Sequence, residues 1–130
     1  MKFLLYDYLD SNEVNRFKKW CDGLEKSQKA KLREKIDKLA MHGDDLHPHM
    51  LSDSEVPGIQ KLRVQGPVKL RPLLCKGPVN VHDEYTFLLG AKEVGSKWAP
   101  TDAPETANQN KKAVAIDAAK RRSKHERISK

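Results

Sequence analysis

From Val56 to His82 the chain reads VPGIQKLRVQGPVKLRPLLCKGPVNVH and carries no acidic residue. The stretch holds Lys61, Arg63, Lys69, Arg71 and Lys76. Lys61 and Arg63 are two residues apart, as are Lys69 and Arg71, and residues two apart on a strand share a face. Two strand-like runs, 58–64 and 69–76, are joined by Gln65, Gly66, Pro67 and Val68. Paired as a hairpin, they gather their cations on one face beside an apolar layer. Fixed positive charge concentrated on a sheet is a receptor for phosphate.

Other side chains with chemical potential are more scattered. His42, His47 and His49 lie close to Asp44 and Asp45, but His47 and His49 flank Pro48 and the spacing fits no zinc pattern. No metal and no cofactor is expected. His82, beside Asp83 and Glu84, is the histidine nearest in sequence to the basic strands and is the candidate for proton transfer. Trp98, between Lys97 and Ala99 in an irregular stretch, is placed to stack on a base, whereas Tyr85 opens an apolar strand and belongs to the core. The chain contains no phosphate-binding glycine loop, no dinucleotide fingerprint and no nucleophile elbow. Cys21 and Cys75 lack CxxC spacing and read as buried thiols in a reducing compartment.

The elements that must position these residues follow from periodicity and caps. Lys2–Tyr8 reads as a strand. Asp10 and Glu13 have capping-box spacing before a helix that buries Val14, Phe17, Cys21 and Leu24 and ends at Asp22-Gly23. Ser27 caps a second helix with Leu32, Ile36, Leu39 and Ala40 on its apolar face and Gly43 as its stop. The two helices form an antiparallel hairpin. Residues 44–57 read as a loop, the two basic strands follow, and 84–91 (EYTFLLGA) is a third strand. Residues 92–101 read as irregular. A last helix starts at Asp102-Ala103-Pro104-Glu105 and runs to about Arg122. The order is β-α-α-β-β-β-α, an α+β fold with a small, mostly antiparallel sheet, helices on one face and a C-terminal helix. Phe17, Leu24, Leu32, Ile36, Leu39, Leu62, Leu73, Phe87 and Leu89 are expected to meet in one core.

At 130 residues, 38% apolar and 33% charged, the chain suits one domain, taken as residues 1–122 followed by a basic tail at 123–130. The net charge of +7 is unevenly placed: residues 111–130 carry +6, with eight Lys/Arg against Asp117 and Glu126, and the rest is nearly neutral. A polyanion or an acidic protein is the matching partner. No apolar run approaches the ~20 residues that span a bilayer, so no membrane partner is expected.

The order of these elements and their local motifs resemble the RelE/HigB/ParE superfamily of bacterial and phage toxins, in particular its phage-derived, HigB-like branch. The likeness covers nearly the whole chain: the first strand and helical hairpin, GIQKLRV with its Leu-Arg pair, KLRPLL with its Arg, YTFLLGAKEVG running into a Lys-bearing turn, and ETANQNKKAVAIDAAKRR as the closing helix. The resemblance implies a RelE-like fold. It also implies a type II toxin, cytoplasmic, acting as a ribosome-dependent, metal-independent endoribonuclease on messenger RNA. Its partners would be the ribosome, mRNA and a cognate antitoxin, often a helix-turn-helix protein. ParE-like members of the same fold inhibit gyrase without cutting RNA, and a phage-derived binding module without activity is a further alternative. Lys61, Arg63, Arg71 and Lys92 match the family's basic positions, and Trp98 falls near its C-terminal aromatic. The chain departs from the family pattern at Phe87-Leu88-Leu89-Gly90, where many HigB-like members carry a His, and in a turn with one Lys instead of two.

Cleavage by the RNA's own 2′-OH needs a base for that hydroxyl, charge stabilisation of the phosphorane and an acid for the leaving oxygen. Arg and Lys supply the second of these, and Arg holds two phosphate oxygens with its planar fork. The resulting candidate set is Lys61, Arg63, Arg71, Lys92 and His82 for catalysis, with Lys69, Lys76 and Trp98 for RNA binding. Parity expects Lys61, Arg63 and Arg71 on one side of the sheet with Lys92 at its edge.

Overall fold

The computed structural model describes residues 2–128. In chain order the elements are β1 (Leu4–Tyr8), α1 (Arg16–Asp22), α2 (Lys26–His42), a 3-10 turn (Gly43–Leu46), β2 (Leu51–Asp53), β3 (Gln60–Leu62), β4 (Lys69–Leu70), β5 (Leu73–Lys76), β6 (Glu84–Leu89), β7 (Lys92–Val94), β8 (Lys97–Ala99), α3 (Ala103–Ile116), α4 (Ala118–Arg121) and β9 (Arg122–Lys124). The fold is α+β, with a mostly antiparallel six-stranded sheet in the order β2-β3-β5-β6-β1-β9 and a three-stranded sheet in the order β4-β7-β8. The exception to antiparallel pairing is β1 with β6, in register from Leu4 opposite Glu84 to Asp7 opposite Phe87. Among the described residues no helix is long and apolar enough to cross a membrane.

The two N-terminal helices form where periodicity places them. Their caps differ from those expected. Asn15, not Asp10, caps α1 by accepting from the Lys18 amide, while Asp10 accepts from the amides of Asn12 and Val14 in the loop before it. That leaves Val14 outside the helix. In front of α2, Glu25 takes the place expected for Ser27, and its amide donates to Gln28 Oε1. Gly43 ends α2 at φ +50°, with the Phe3 ring against its Cα, so a side chain there meets both backbone strain and a collision.

The single core expected from the sequence is two cores, one on each face of the main sheet. Phe17, Leu32, Ile36, Leu39, Leu62 and Phe87 lie against α1 and α2, with Leu24 packed at the margin. Phe17 and Phe87 stack with centroids 4.7 Å apart. Leu73 instead joins Ile59, Cys75, Leu88, Ala91, Ala103 and Ala107 on the opposite face under α3, with Leu89 partly buried beside them. Helices therefore cover both faces, correcting the one-sided arrangement. The continuous apolar run of β5 and β6 has this cause: strands covered on both sides bury successive residues in opposite cores.

Four further stretches depart from expectation. The loop 44–57 contains the 3-10 turn and β2, which adds an edge strand to β3. Residues 92–101 form the β7–β8 hairpin, turned at Gly95 with φ +65°. The second basic strand is split at Arg71-Pro72, so β4 joins the small sheet and β5 the large one. Proline has no amide to give to a ladder, which suits a strand that changes sheets here. The closing helix stops at Ile116; α4 and β9 follow, and β9 pairs antiparallel with β1, Tyr8 opposite Arg122. Residues 122–128 thus pack on the body, with Ile128 in the first core. The last two residues of the expected tail, Ser129 and Lys130, lie outside the described residues.

Candidate nucleic-acid interface

On β3, Leu62 points into the helical-hairpin core and its neighbours Lys61 and Arg63 point to the other face. Lys61 sits opposite Leu73 of β5 and Ser52 of β2. The split after β4 carries Arg71 back over this face. The small sheet supplies the facing wall: Lys69, Glu93 and Trp98 are direct cross-strand partners, so their side chains form one row.

These residues meet at Glu93. Its Oε1 accepts from Lys61 Nζ at 3.4 Å and from Arg71 Nε at 3.0 Å. Lys61 Nζ also lies 5.4 Å from the centre of the Trp98 ring, within cation–π reach, and Trp98 donates from Nε1 to Glu55 Oε2 at 3.0 Å. Arg71 is 2% exposed, and its Nη1 donates to the carbonyls of Val64 and Leu70 at 3.2 and 2.8 Å. The guanidinium ties the end of the split strand to the small sheet and presents little of itself to solvent. Arg63 is half-buried beside it. Burial, and secondarily the charge of Arg63, lower the Arg71 pKa, while Glu93 supports its charged form. Burial alone would raise the Glu93 carboxyl; Lys61 and Arg71 outweigh it and hold the carboxyl below its ordinary value. Two buried polar atoms on this face, Arg63 Nε and Ser52 Oγ, have no partner.

The structure thus brings together Lys61, Arg63, Arg71, Lys69 and Trp98. Lys92 is exposed on β7 next to Glu93, and the alternation of the strand puts it on the opposite side of the small sheet, across from Leu70. Lys76 lies on the helical-hairpin face of the main sheet, bonded to Asp44 and 5.3 Å from the Phe3 ring centre. Tyr85, fully buried, also donates to Asp44. Burial opposes the Asp44 charge, but Lys76 and Tyr85 prevail and lower its pKa. His82 is exposed in the β5–β6 turn, past Lys76, which itself lies about 10 Å along β5 from the residue opposite Lys61, and its side chain makes no hydrogen bond or ion pair to the cluster. His47 contacts Asp53 at 3.2 Å, and no group of three or more His, Cys, Asp or Glu side chains is placed to hold a metal among the described residues. Both cysteines are buried thiols; burial pushes Cys75 up to about 12.

Two residues central to this face, Glu93 and Glu55, were not among those singled out from the sequence. Glu93 had an available signal: Lys92-Glu93-Val94 and Lys97-Trp98-Ala99 flank Gly95-Ser96, a two-residue hairpin turn that puts Glu93 opposite Trp98.

Chemically, the face offers several donors of fixed charge, an aromatic ring and one carboxylate in a shallow corner between two sheets. No protein-family model, curated protein or solved structure matches this chain.

Proposed function

We propose that the chain is a RelE/HigB/ParE-type toxin, the nuclease member of a type II toxin–antitoxin pair, that binds messenger RNA on the face holding Lys61, Arg63, Arg71 and Trp98 and cuts it on the ribosome. The observation that carries this reading is the convergence of three cations, two from β3 and its end and one from the turn after β4, onto one corner beside a tryptophan. The order of first strand, helical hairpin, antiparallel strands and closing helix supports it. In such a site Lys61 and Arg63 hold the phosphate and stabilise charge that grows on its non-bridging oxygens, while Arg71, locked by two carbonyls, keeps the corner rigid. Trp98 gives a neighbouring base a surface to stack on.

A second reading, a binding module or a ParE-like inhibitor that does not cut RNA, draws on a specific observation: Glu93 neutralises part of the cluster. One experiment separates the two. The protein is induced in growing cells, and growth and RNA 5′ ends are followed for the wild type, Lys61→Ala, Arg63→Ala and, as control, Lys26→Ala on the exposed start of α2. Loss of either cation from the face should lower cleavage by roughly 10²–10³-fold, with the control unchanged. Unaltered cleavage in Arg63→Ala and Lys61→Ala would remove the face from the mechanism. Growth arrest without new RNA ends would favour the inhibitor.

A further inference from the structure

We propose that Glu93 is a built-in phosphate mimic: it holds an anion site formed by Lys61, Arg63, Arg71 and Ser52, and a backbone phosphate of single-stranded RNA binds there by displacing it. This rests on the reading of the face as an RNA interface and states what sets its affinity.

Three features of the corner support this, and the first is geometric. One oxygen, Glu93 Oε1, bridges two cations, Lys61 and Arg71, which is how a non-bridging phosphate oxygen sits in a cationic pocket. The second is an imbalance of donors. Lys61, Arg63, Arg71 and Ser52 all present hydrogens to this face, and Glu55, the other carboxylate nearby, is engaged by Trp98. Glu93 satisfies two of the four groups and leaves Arg63 Nε and Ser52 Oγ buried and unpartnered. Ser52 is directly opposite Lys61 in the ladder and Arg63 is two residues along from Lys61, so both lie on the face that carries the bridged oxygen. Buried donors without acceptors are costly, and a tetrahedral anion with more oxygens than a carboxylate relieves that cost. The third is access. Glu93 is 23% exposed at the side chain, so its carboxylate borders solvent, whereas Arg71 behind it is 2% exposed. The cations keep Glu93 ionised, which makes it a counter-ion and a poor base.

The test uses the full chain and a fluorescently labelled single-stranded RNA oligonucleotide, with affinity read by anisotropy. Glu93→Gln keeps the shape and removes the charge. Glu34→Gln, on exposed α2, changes net charge equally and is the control. Glu93→Gln should bind about 10-fold more tightly than wild type and Glu34→Gln within about twofold. Glu93→Asp, charged but too short to bridge both cations, should fall between. Inorganic pyrophosphate is the second probe, and it should raise the melting temperature of Glu93→Gln more than that of wild type. If folded Glu93→Gln and Glu93→Asp bind RNA no better than Glu34→Gln, the proposal is overturned while the RNA reading stands. If none of the proteins binds RNA, the RNA reading fails, and pyrophosphate decides the rest: a larger shift in Glu93→Gln upholds the anion site, and equal shifts overturn it.

Discussion

The face of the main sheet under the helical hairpin is built of large side chains: Phe17 stacked on Phe87, Leu32, Leu39, Leu51 and Leu62, with Trp20 lying on Gly90 where any side chain would collide with its ring. The face under α3 is built of small ones, with Ala91, Ala103 and Ala107 packed on Leu73, Cys75 and Leu88. On the second face, past α3, the corner is occupied by Lys61, Arg63, Arg71 and the small sheet. Large aromatic packing and an open charged corner are thus kept on opposite sides of the same strands. Mutations that loosen one need not disturb the other.

That separation can be broken or sharpened by measurement. The largest stability effect is expected on the aromatic face: Phe87→Ala should cost about 3–5 kcal/mol in denaturant unfolding, because the cavity is walled by Phe17 and cannot collapse. A cost under about 1 kcal/mol would mean this face is not the main store of stability. Arg71→Ala should cost less, about 2–3 kcal/mol, by leaving the Val64 and Leu70 carbonyls and part of Glu93 without donors. If it costs as much as Phe87→Ala, the charged corner is a structural centre in its own right. The smallest effect is in acid. Glu93 has a folded pKa below its unfolded value, so its contribution is present above the unfolded carboxylate range and is lost as pH falls through the lowered value. Glu93→Gln should therefore be less stable than wild type at neutral pH, and the gap should close as pH falls below about 4. Asp44, lowered by Lys76 and Tyr85, is present in both proteins and cancels in the difference. A gap that does not change with pH would mean that Lys61 and Arg71 do not hold the carboxylate in solution.

How far the sequence could be read follows the length of each element. The 17 residues of α2 repeat their apolar positions often enough to show a face, and Leu32, Ile36 and Leu39 are buried as their spacing expects. β4 has two residues and β7 and β8 have three each, too few for any period to declare itself. The two-sided core was legible in principle, since EYTFLL lacks the alternation of a half-exposed strand. The basic pair Lys61 and Arg63 was legible by parity. Its partnership with Glu93 was not, because the Arg71–Glu93 bond spans 22 residues and depends on a strand changing sheets at Pro72.

The position of β1 has a consequence for how the chain is made. Its neighbours in the sheet are β6, some eighty residues later, and β9, near residue 122. During synthesis the first strand emerges long before either partner, and the helical hairpin that follows it has no finished sheet to pack on. Contacts so distant in sequence slow folding and leave early segments exposed while they wait. A nascent chain stalled before residue 122 keeps β1 as an open edge, the kind of edge that other strands recruit. Folding of the whole sheet is therefore a late event, and truncation near residue 120 should yield an aggregating product instead of a smaller stable one.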